Sequence, residues 1–466
     1  MRTTLAPGMA SPSGPITTPE SVPSSAKATP AHSTRAYKNN LYFIIDSLFG
    51  IPNLPPNIRP RYPHHLISNI AAHHRAKTNG FRGNLLTYLS PLPNLAPLQV
   101  LPALLIFRAS IAYFPNPNSP MLSETYFMPD KLKLAFIGCG AIARFHLDGI
   151  KGHAPRIDVT TLVDLDESKA QTYAAETGGQ AFTSLEEALA KGDFDAVYIM
   201  LPHDLHESIA LQCFAAGKHV LLEKPMAPTL DACDRILAAA NAAPGVFMVA
   251  ENSQYWPEIV EAQKHLAAGA IGEIITARAA FVYPFDSYWF KEERPWRYEK
   301  GRTGGGIAID GGSHWIRPLR MWMGEIKEVV GVLGHPLAQM EGESLARALF
   351  RFDSGKTAIF DAMMIDTVFA PDPWWRITGT KGELTINAAL DGAELYLWDA
   401  DHPDGKRLFA SPGYTESFGP ELADFAAAVL DGKAPAAPAE YALGELRTAL
   451  ALYRSASSQR WEQVWV

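Results

Sequence analysis

From residue 132 onward the chain alternates short apolar runs with stretches of helical spacing, and that alternation restricts the fold more than any other feature. LKLAFIG (132–138), IDVTTLVD (157–164), FDAVYIML (194–201), KHVLLE (218–223) and VFMVAE (246–251) read as strands. Between them, 141–150, 167–177, 185–190, 209–216 and 230–243 read as helices, with Gly178-Gly179 and Gly217 as stop signals. Strands alternating with helices of about ten residues predict βαβ units and a parallel sheet. The stretch has the size of one nucleotide-binding domain.

Beyond residue 258 the texture changes. The segments 272–283, 327–334, 346–352, 356–365, 374–386 and 393–400 are rich in aromatic and β-branched residues and are joined by short Gly- or Asp-containing turns. They predict a large, mostly antiparallel open sheet in an α+β domain, closed by helices near 419–431 and 440–457. A chain of 466 residues exceeds what one core holds, about 250–300 residues. The expected division is an irregular leader over 1–128, a dinucleotide-binding domain over 129–252 and a substrate and oligomerisation domain over 253–466.

The leader stands apart in composition. Residues 1–120 contain ten Lys or Arg against two acids, Glu20 and Asp46, and 18 of the 36 prolines. They carry a net +8, which leaves −16 for the remainder of a chain whose total is −8. Residues 1–35, rich in Ser, Thr, Pro and Ala, have too little apolar surface to order themselves. An acid-poor leader of this kind fits an organelle transit segment; translation starting at Met121 or Met128 is the other reading, and both stay open. The apolar run 98–107 is too short to cross a bilayer, which takes about 20 residues. The pairs His64-His65 and His73-His74 have no Cys or acidic neighbours and are expected in solvent. Three cysteines without a CxxC spacing give neither a zinc site nor a disulfide framework. A reducing, cytoplasmic setting is expected, with organelle import if the leader acts as a signal. The acidic balance speaks against nucleic acid as a partner.

One loop carries chemistry. IGCGAIA places Gly138, Gly140 and Ala143 in a G-x-G-x-x-A pattern between a strand and a helix, with Ala141 and Ile142 opening that helix. Gly138 permits the tight turn, Gly140 lets backbone approach a pyrophosphate, and Ala143 keeps helix and strand close. Asp164 follows at the end of the second strand, where a carboxylate takes ribose hydroxyls and repels a 2′-phosphate. A helix cap is the bland alternative for Asp164, and its neighbour Asp166 could serve instead. The pattern predicts a bound NAD in preference to NADP.

A second oddity is LLEKPM (221–226), where a buried strand ends on Glu223, Lys224 and Pro225 in succession. GCGAIA, AGKHVLLEKPMA (216–227), GAIGEI (269–274) and TGGGIAIDGGSHWI (303–316), in this order and spacing, resemble the Gfo/Idh/MocA oxidoreductases, named for glucose–fructose oxidoreductase and inositol dehydrogenase. The resemblance covers about 130–460 and leaves out the leader. It implies a charged strand terminus beside the nicotinamide, at the carboxyl ends of a parallel sheet. It also implies a catalytic set of Lys224, Asp310 and His314, with Leu201, Pro202, His206, Glu223 and Lys224 near the cofactor. His314 would accept a hydroxyl proton, Lys224 would steady the alkoxide, and the carboxylate would orient the imidazole. Glu223 is the natural counter-charge of Lys224, although adjacent strand residues face opposite sides. No metal is required.

The pattern is departed from twice. Arg317 stands where such proteins often carry an acid, and Leu201-Pro202-His203 replaces a common Thr-Pro-Asn. The aromatic and charged segment 283–298 suits a sugar or polyol and equally a sheet-face or subunit contact. The candidate substrate residues are Tyr255, Trp289, Trp296, Arg297 and Arg317. The leading expectation is an NAD(P)-dependent oxidoreductase for a sugar, cyclitol or related polyol, working as a homo-oligomer. A ligand-sensing protein on the same scaffold is the competing class.

Overall fold

The computed structural model describes residues 131–284, 295–367, 369–389 and 392–466. The leader, its histidine pairs and Trp289 lie outside the described residues. Among those described, no helix is long and apolar enough to cross a membrane.

The first half forms a six-stranded sheet in the order β3-β2-β1-β4-β5-β6. Its strands are β1 (Leu132–Ile137), β2 (Ile157–Val163), β3 (Gln180–Phe182), β4 (Ala196–Ile199), β5 (His219–Glu223) and β6 (Phe247–Ala250). Every neighbouring pair is parallel. The helices between them are α1 (Ala141–His153), α2 (Glu167–Thr177), α3 (Leu185–Lys191), α4 (His206–Ala215) and α5 (Leu230–Ala242). Both faces of the sheet are buried because successive side chains alternate sides. Leu134 and Phe136 enter one core, and Ala135 and Ile137 enter the other. The helix limits follow local chemistry: Asp166, Ser184 and Thr229 cap α2, α3 and α5 with side-chain oxygens, and Gly178 ends α2 with a left-handed backbone.

Helix α6 (Pro257–Ala267) leads into the second sheet, β14-β13-β12-β11-β7-β10-β9-β8-β15. Its strands are β7 (Ile274–Pro284), β8 (Ile326–Gly334), β9 (Leu345–Phe352), β10 (Thr357–Ile365), β11 (Trp375–Gly379), β12 (Gly382–Ala389), β13 (Gly392–Asp399), β14 (His402–Ser411) and β15 (Glu462–Gln463). All its pairings are antiparallel except β7 with β10. Helices α7 (Ser313–Met323), α8 (Phe418–Asp431) and α9 (Leu443–Ser458) complete the chain. On β9, Ala346, Ala348, Phe350 and Phe352 are buried while Arg347, Leu349 and Arg351 are exposed, so one face of this sheet is covered and the other is open.

Several elements differ from the sequence reading. The single strand expected over 374–386 is a hairpin that turns at Thr380-Lys381. Strand β14 was not expected: Pro403, Asp404 and Gly405 disguise it, and an edge position tolerates them. Helix α8 does not stay with its own half. Its Leu422, Phe425 and Ala426 join the core formed by Leu134, Phe136 and Leu147 of the first sheet.

Candidate functional site

Between the carboxyl ends of the first sheet and the loops under the second lies a cavity of about 570 Å³. Its first-sheet wall begins at the glycine loop. Gly138 has φ +99°, and a Cβ there would meet the Met200 carbonyl oxygen at 2.4 Å, so only glycine fits. Around Gly140, in contrast, a Cβ would meet nothing within 4 Å. That opening sits over the N-terminus of α1, where no side chain caps the first amides. Free N–H groups and the positive dipole end of a helix make this a place for phosphate. Asp164 lines the same wall. One of its carboxylate oxygens accepts Cys139 N–H at 2.8 Å and the other accepts Asp166 N–H at 2.9 Å. These bonds fix the carboxylate and leave it further acceptor capacity. The donors, the open cradle and the placed carboxylate fit a dinucleotide.

Of the other expected cofactor residues, Ala141, Ile142, Leu201, Pro202, Glu223 and Lys224 line the cavity, and Ala143 and His206 do not. Ala143 is fully buried where α1 meets the sheet. His206 is buried with Nδ1 2.9 Å from Pro225 O and Nε2 2.9 Å from Leu201 O, so it ties the end of β4 to the turn after β5.

That turn separates two charges. Leu221 belongs to one core and Leu222 to the other, so Glu223 and Lys224 leave β5 on opposite sides. Glu223 meets His146 of α1 at 2.8 Å and accepts a hydrogen bond from Tyr198 Oη at 2.8 Å. Lys224 crosses to the other half of the molecule. Its Nζ donates to Asp310 Oδ1 at 3.0 Å and to the Asp310 carbonyl at 2.8 Å, and the Lys224–Pro225 peptide is cis. The counter-charge of Lys224 is therefore Asp310, not Glu223.

Asp310 and His314 do not share a helix. Residues 307–312 are a series of turns, and α7 begins only at Ser313. The turns are held by Glu343, whose buried carboxylate accepts the N–H groups of Gly306 and Ala308, each at 2.9 Å. Asp310 Oδ2 also accepts Arg297 Nε–H at 3.0 Å. Burial alone would raise the Asp310 carboxyl, but the Lys224 and Arg297 cations outweigh it and hold it well below the usual carboxylate range. His314 turns instead to Glu251, with its Nδ1 2.5 Å from Glu251 Oε1. Glu251 follows β6, is 1% exposed, and is held below the carboxylate range by His314 and Arg317 against its burial. The orienting carboxylate for this imidazole is Glu251, a residue not singled out from the sequence. Its signal was available: like Glu223, it is an acid closing an apolar strand at the ligand-binding edge of a parallel sheet.

Lys224, Asp310, His314, Trp296 and Arg297 all line the cavity. Two expected substrate residues turn away from it. Tyr255 donates to Asp424 Oδ2 at 2.6 Å. Arg317, 2% exposed, donates to Glu445 at 2.8 Å and to Gln254 at 2.6 Å, and the Tyr441 ring lies 4.6 Å beneath its guanidinium. A buried guanidinium so fully engaged supports the fold. Among the described residues, no group of three His, Cys, Asp or Glu is placed to hold a metal ion.

His203 is also in the wall, 3% exposed, with Nδ1 3.2 Å from Thr303 O. Burial pushes its imidazole down to about 3. The unfolded chain, with an ordinary histidine near 6.5, takes up a proton below that pH and the folded chain does not. Stability therefore falls as the pH falls through 6.5. From pH 7 to pH 5 this residue alone should cost about 2 kcal/mol. Denaturant melts at the two pH values should show that loss, and His203→Asn should remove this share of it.

A parallel dinucleotide fold facing an open antiparallel sheet, with an ammonium and an imidazole between them, defines a nicotinamide-dependent class of enzyme. Residues 132–251 match the family described as the oxidoreductase family with an NAD-binding Rossmann fold, and residues 259–385 match the GFO/IDH/MocA C-terminal domain. The chain belongs to this oxidoreductase family. It is 28% identical to the 1,5-anhydro-D-fructose reductase of Ensifer adhaerens, over 69% of this chain and 95% of that protein. With the D-xylose 1-dehydrogenase (NADP(+)) 2 of Haloferax volcanii the identity is 25%, over 66% and 94%. The crystal structure of aldose-aldose oxidoreductase from Caulobacter crescentus, complexed with glycerol, superposes with a TM-score of 0.64 at 25% identity, covering 72% of this chain and 99% of that one.

Proposed function

We propose that the protein is an NAD-dependent dehydrogenase or reductase for a sugar, cyclitol or related polyol, with residues 129–252 holding the dinucleotide and 253–466 shaping the substrate side. One observation carries the reading: Lys224, from the first sheet, and His314, from the second half, face one cavity. Each is held by its own carboxylate, the half-buried Asp310 and the buried Glu251.

Those partners assign the roles. Glu251, kept ionised, takes the Nδ1 hydrogen of His314, which leaves Nε2 as the base for a substrate hydroxyl. Lys224 gives two hydrogens to Asp310 and keeps a third for the oxygen that becomes an alkoxide. Asp310 acts through Lys224 and Arg297. A nicotinamide bound beside them supplies the hydride acceptor. The sugar and alcohol chemistry in the names of the relatives supports the substrate class. The exposed Ile275, Val332, Leu349 and Ile359 on the open sheet face support self-association of the chain.

Asp164 favours NAD, because a fixed carboxylate takes ribose hydroxyls and repels a 2′-phosphate. Lys169, which lines the same cavity, is a feature that would favour the phosphate. Asp164→Ser should weaken NAD binding about 10–100-fold, the worth of a charged hydrogen bond, and narrow the preference over NADP. Calorimetric titration with both dinucleotides checks this. The function itself is tested by following reduced dinucleotide formation across a panel of sugars and cyclitols. Turnover with at least one member is expected. Tight dinucleotide binding with no turnover across the panel would favour a ligand-sensing protein.

A further inference from the structure

Among the described residues nothing donates to His203 Nε2, an acceptor whose purpose the roles above do not explain. It is the first residue of the short helical turn His203–Leu205, directly after Pro202. The Thr303 carbonyl can only accept, so in the neutral ring Nδ1 carries the hydrogen and Nε2 has a bare lone pair. The ring cannot easily turn to change this. Trp296 packs edge-on against it with centroids 4.7 Å apart, and the neighbouring Asp204 is tied to Arg302 at 3.2 Å.

Nε2 lies 3.9 Å from Asp310 Oδ1. Both atoms are acceptors, so neither satisfies the other. Oδ1 takes a hydrogen from Lys224, whereas Nε2 takes none from the described residues. Both residues line the cavity, beside the ammonium assigned to the reacting oxygen. Nε2 is thus an open acceptor about 4 Å from the Oδ1 that holds Lys224, within reach of a hydroxyl beside the one bound at Lys224. A hydroxyl on the neighbouring ring carbon offers the donor that Nε2 lacks.

We propose that His203 Nε2 accepts from the hydroxyl next to the reacting carbon, so that the substrate must be a vicinal diol and not an isolated alcohol. The proposal rests on the oxidoreductase reading and narrows it. Lys224 and His314 act on the reacting hydroxyl, and His203 holds its neighbour and sets which carbon is presented.

The test compares a polyol that the enzyme turns over with its monodeoxy counterpart, which lacks the adjacent hydroxyl, in wild type, His203→Phe and His203→Asn. A site built to bond a hydroxyl rejects the analogue without it, here by about 10²-fold or more in kcat/KM. In His203→Phe the ratio should fall to within about threefold, through loss of activity on the diol alone. His203→Asn, which retains an acceptor, should keep an intermediate ratio. The same ratios should appear in the dissociation constants of the two compounds in the presence of reduced dinucleotide. Equal losses on both substrates in the variants would make His203 a latch for Thr303 and overturn the proposal, as would weakened dinucleotide binding with the discrimination intact. Should the Phe variant fail to fold, the Asn variant and the wild-type comparison decide, since a wild type indifferent to the missing hydroxyl also overturns it. Failure of the parent reading is seen separately, as absence of wild-type turnover with every polyol, and overturns both.

Discussion

Lys224→Met should lower kcat by about 10²–10³-fold while dinucleotide affinity stays within about twofold. The loss is that of one donor aimed at a developing oxyanion, a few kcal/mol. The fold should survive the change. Methionine keeps the stem volume, and Asp310 is not left uncompensated because Arg297 stays 3.0 Å from Oδ2. Steady-state rates with the best polyol, alongside calorimetric titration with NAD, separate the two quantities. A variant with normal turnover removes Lys224 from the chemistry.

Glu251→Gln should be at least as damaging, about 10²–10⁴-fold in kcat, although Glu251 does not line the cavity. An ionised carboxylate can only accept, so it dictates that His314 carries its hydrogen on Nδ1 and offers Nε2 to the substrate. An amide can turn its NH2 toward Nδ1 and reverse the tautomer, which puts a hydrogen where the base should be. Glu251→Asp, which keeps the charge on a shorter stem, should recover part of the rate. Asp310→Asn provides the contrast, because it should act through Lys224. Its effect should be largely absent in the Lys224→Met background, whereas that of Glu251→Gln should persist there. Rates of the four single variants and the two doubles check the assignment. Identical behaviour of the two carboxylates in that background would remove the distinction between them.

What the sequence disclosed depended on how local each constraint is. The glycine loop is legible because a tight turn admits only glycine at Gly138, and the cradle at Gly140 has no neighbour to clash with. Lys224 stands out as a charge closing a buried strand, but its role enters only through the resemblance, whereas the alternation that sends Glu223 and Lys224 to opposite sides follows from strand geometry. The pairing of the charges is not local. Whether His314 meets Asp310 or Glu251 depends on where β6 ends relative to the turns at 307–312, and those turns take their shape from Glu343, more than thirty residues along the chain. Arg317 shows the same limit. It sits one helical turn from His314 in α7, yet Glu445 of α9 captures it. Strand β14 was hidden because turn-forming residues are tolerated at a sheet edge; α8 was legible as a helix, but its return to the first core depends on distant packing.

The account stands on a single meeting of groups from the two halves of the chain, and a crystal structure of the wild-type protein with NADH and a substrate polyol, a pair that cannot react, tests it most directly. The reacting hydroxyl oxygen should lie within about 3 Å of both Lys224 Nζ and His314 Nε2, with the nicotinamide ring against its carbon. A polyol bound with that oxygen out of reach of either nitrogen, or a nicotinamide lodged outside the cleft, would contradict the account.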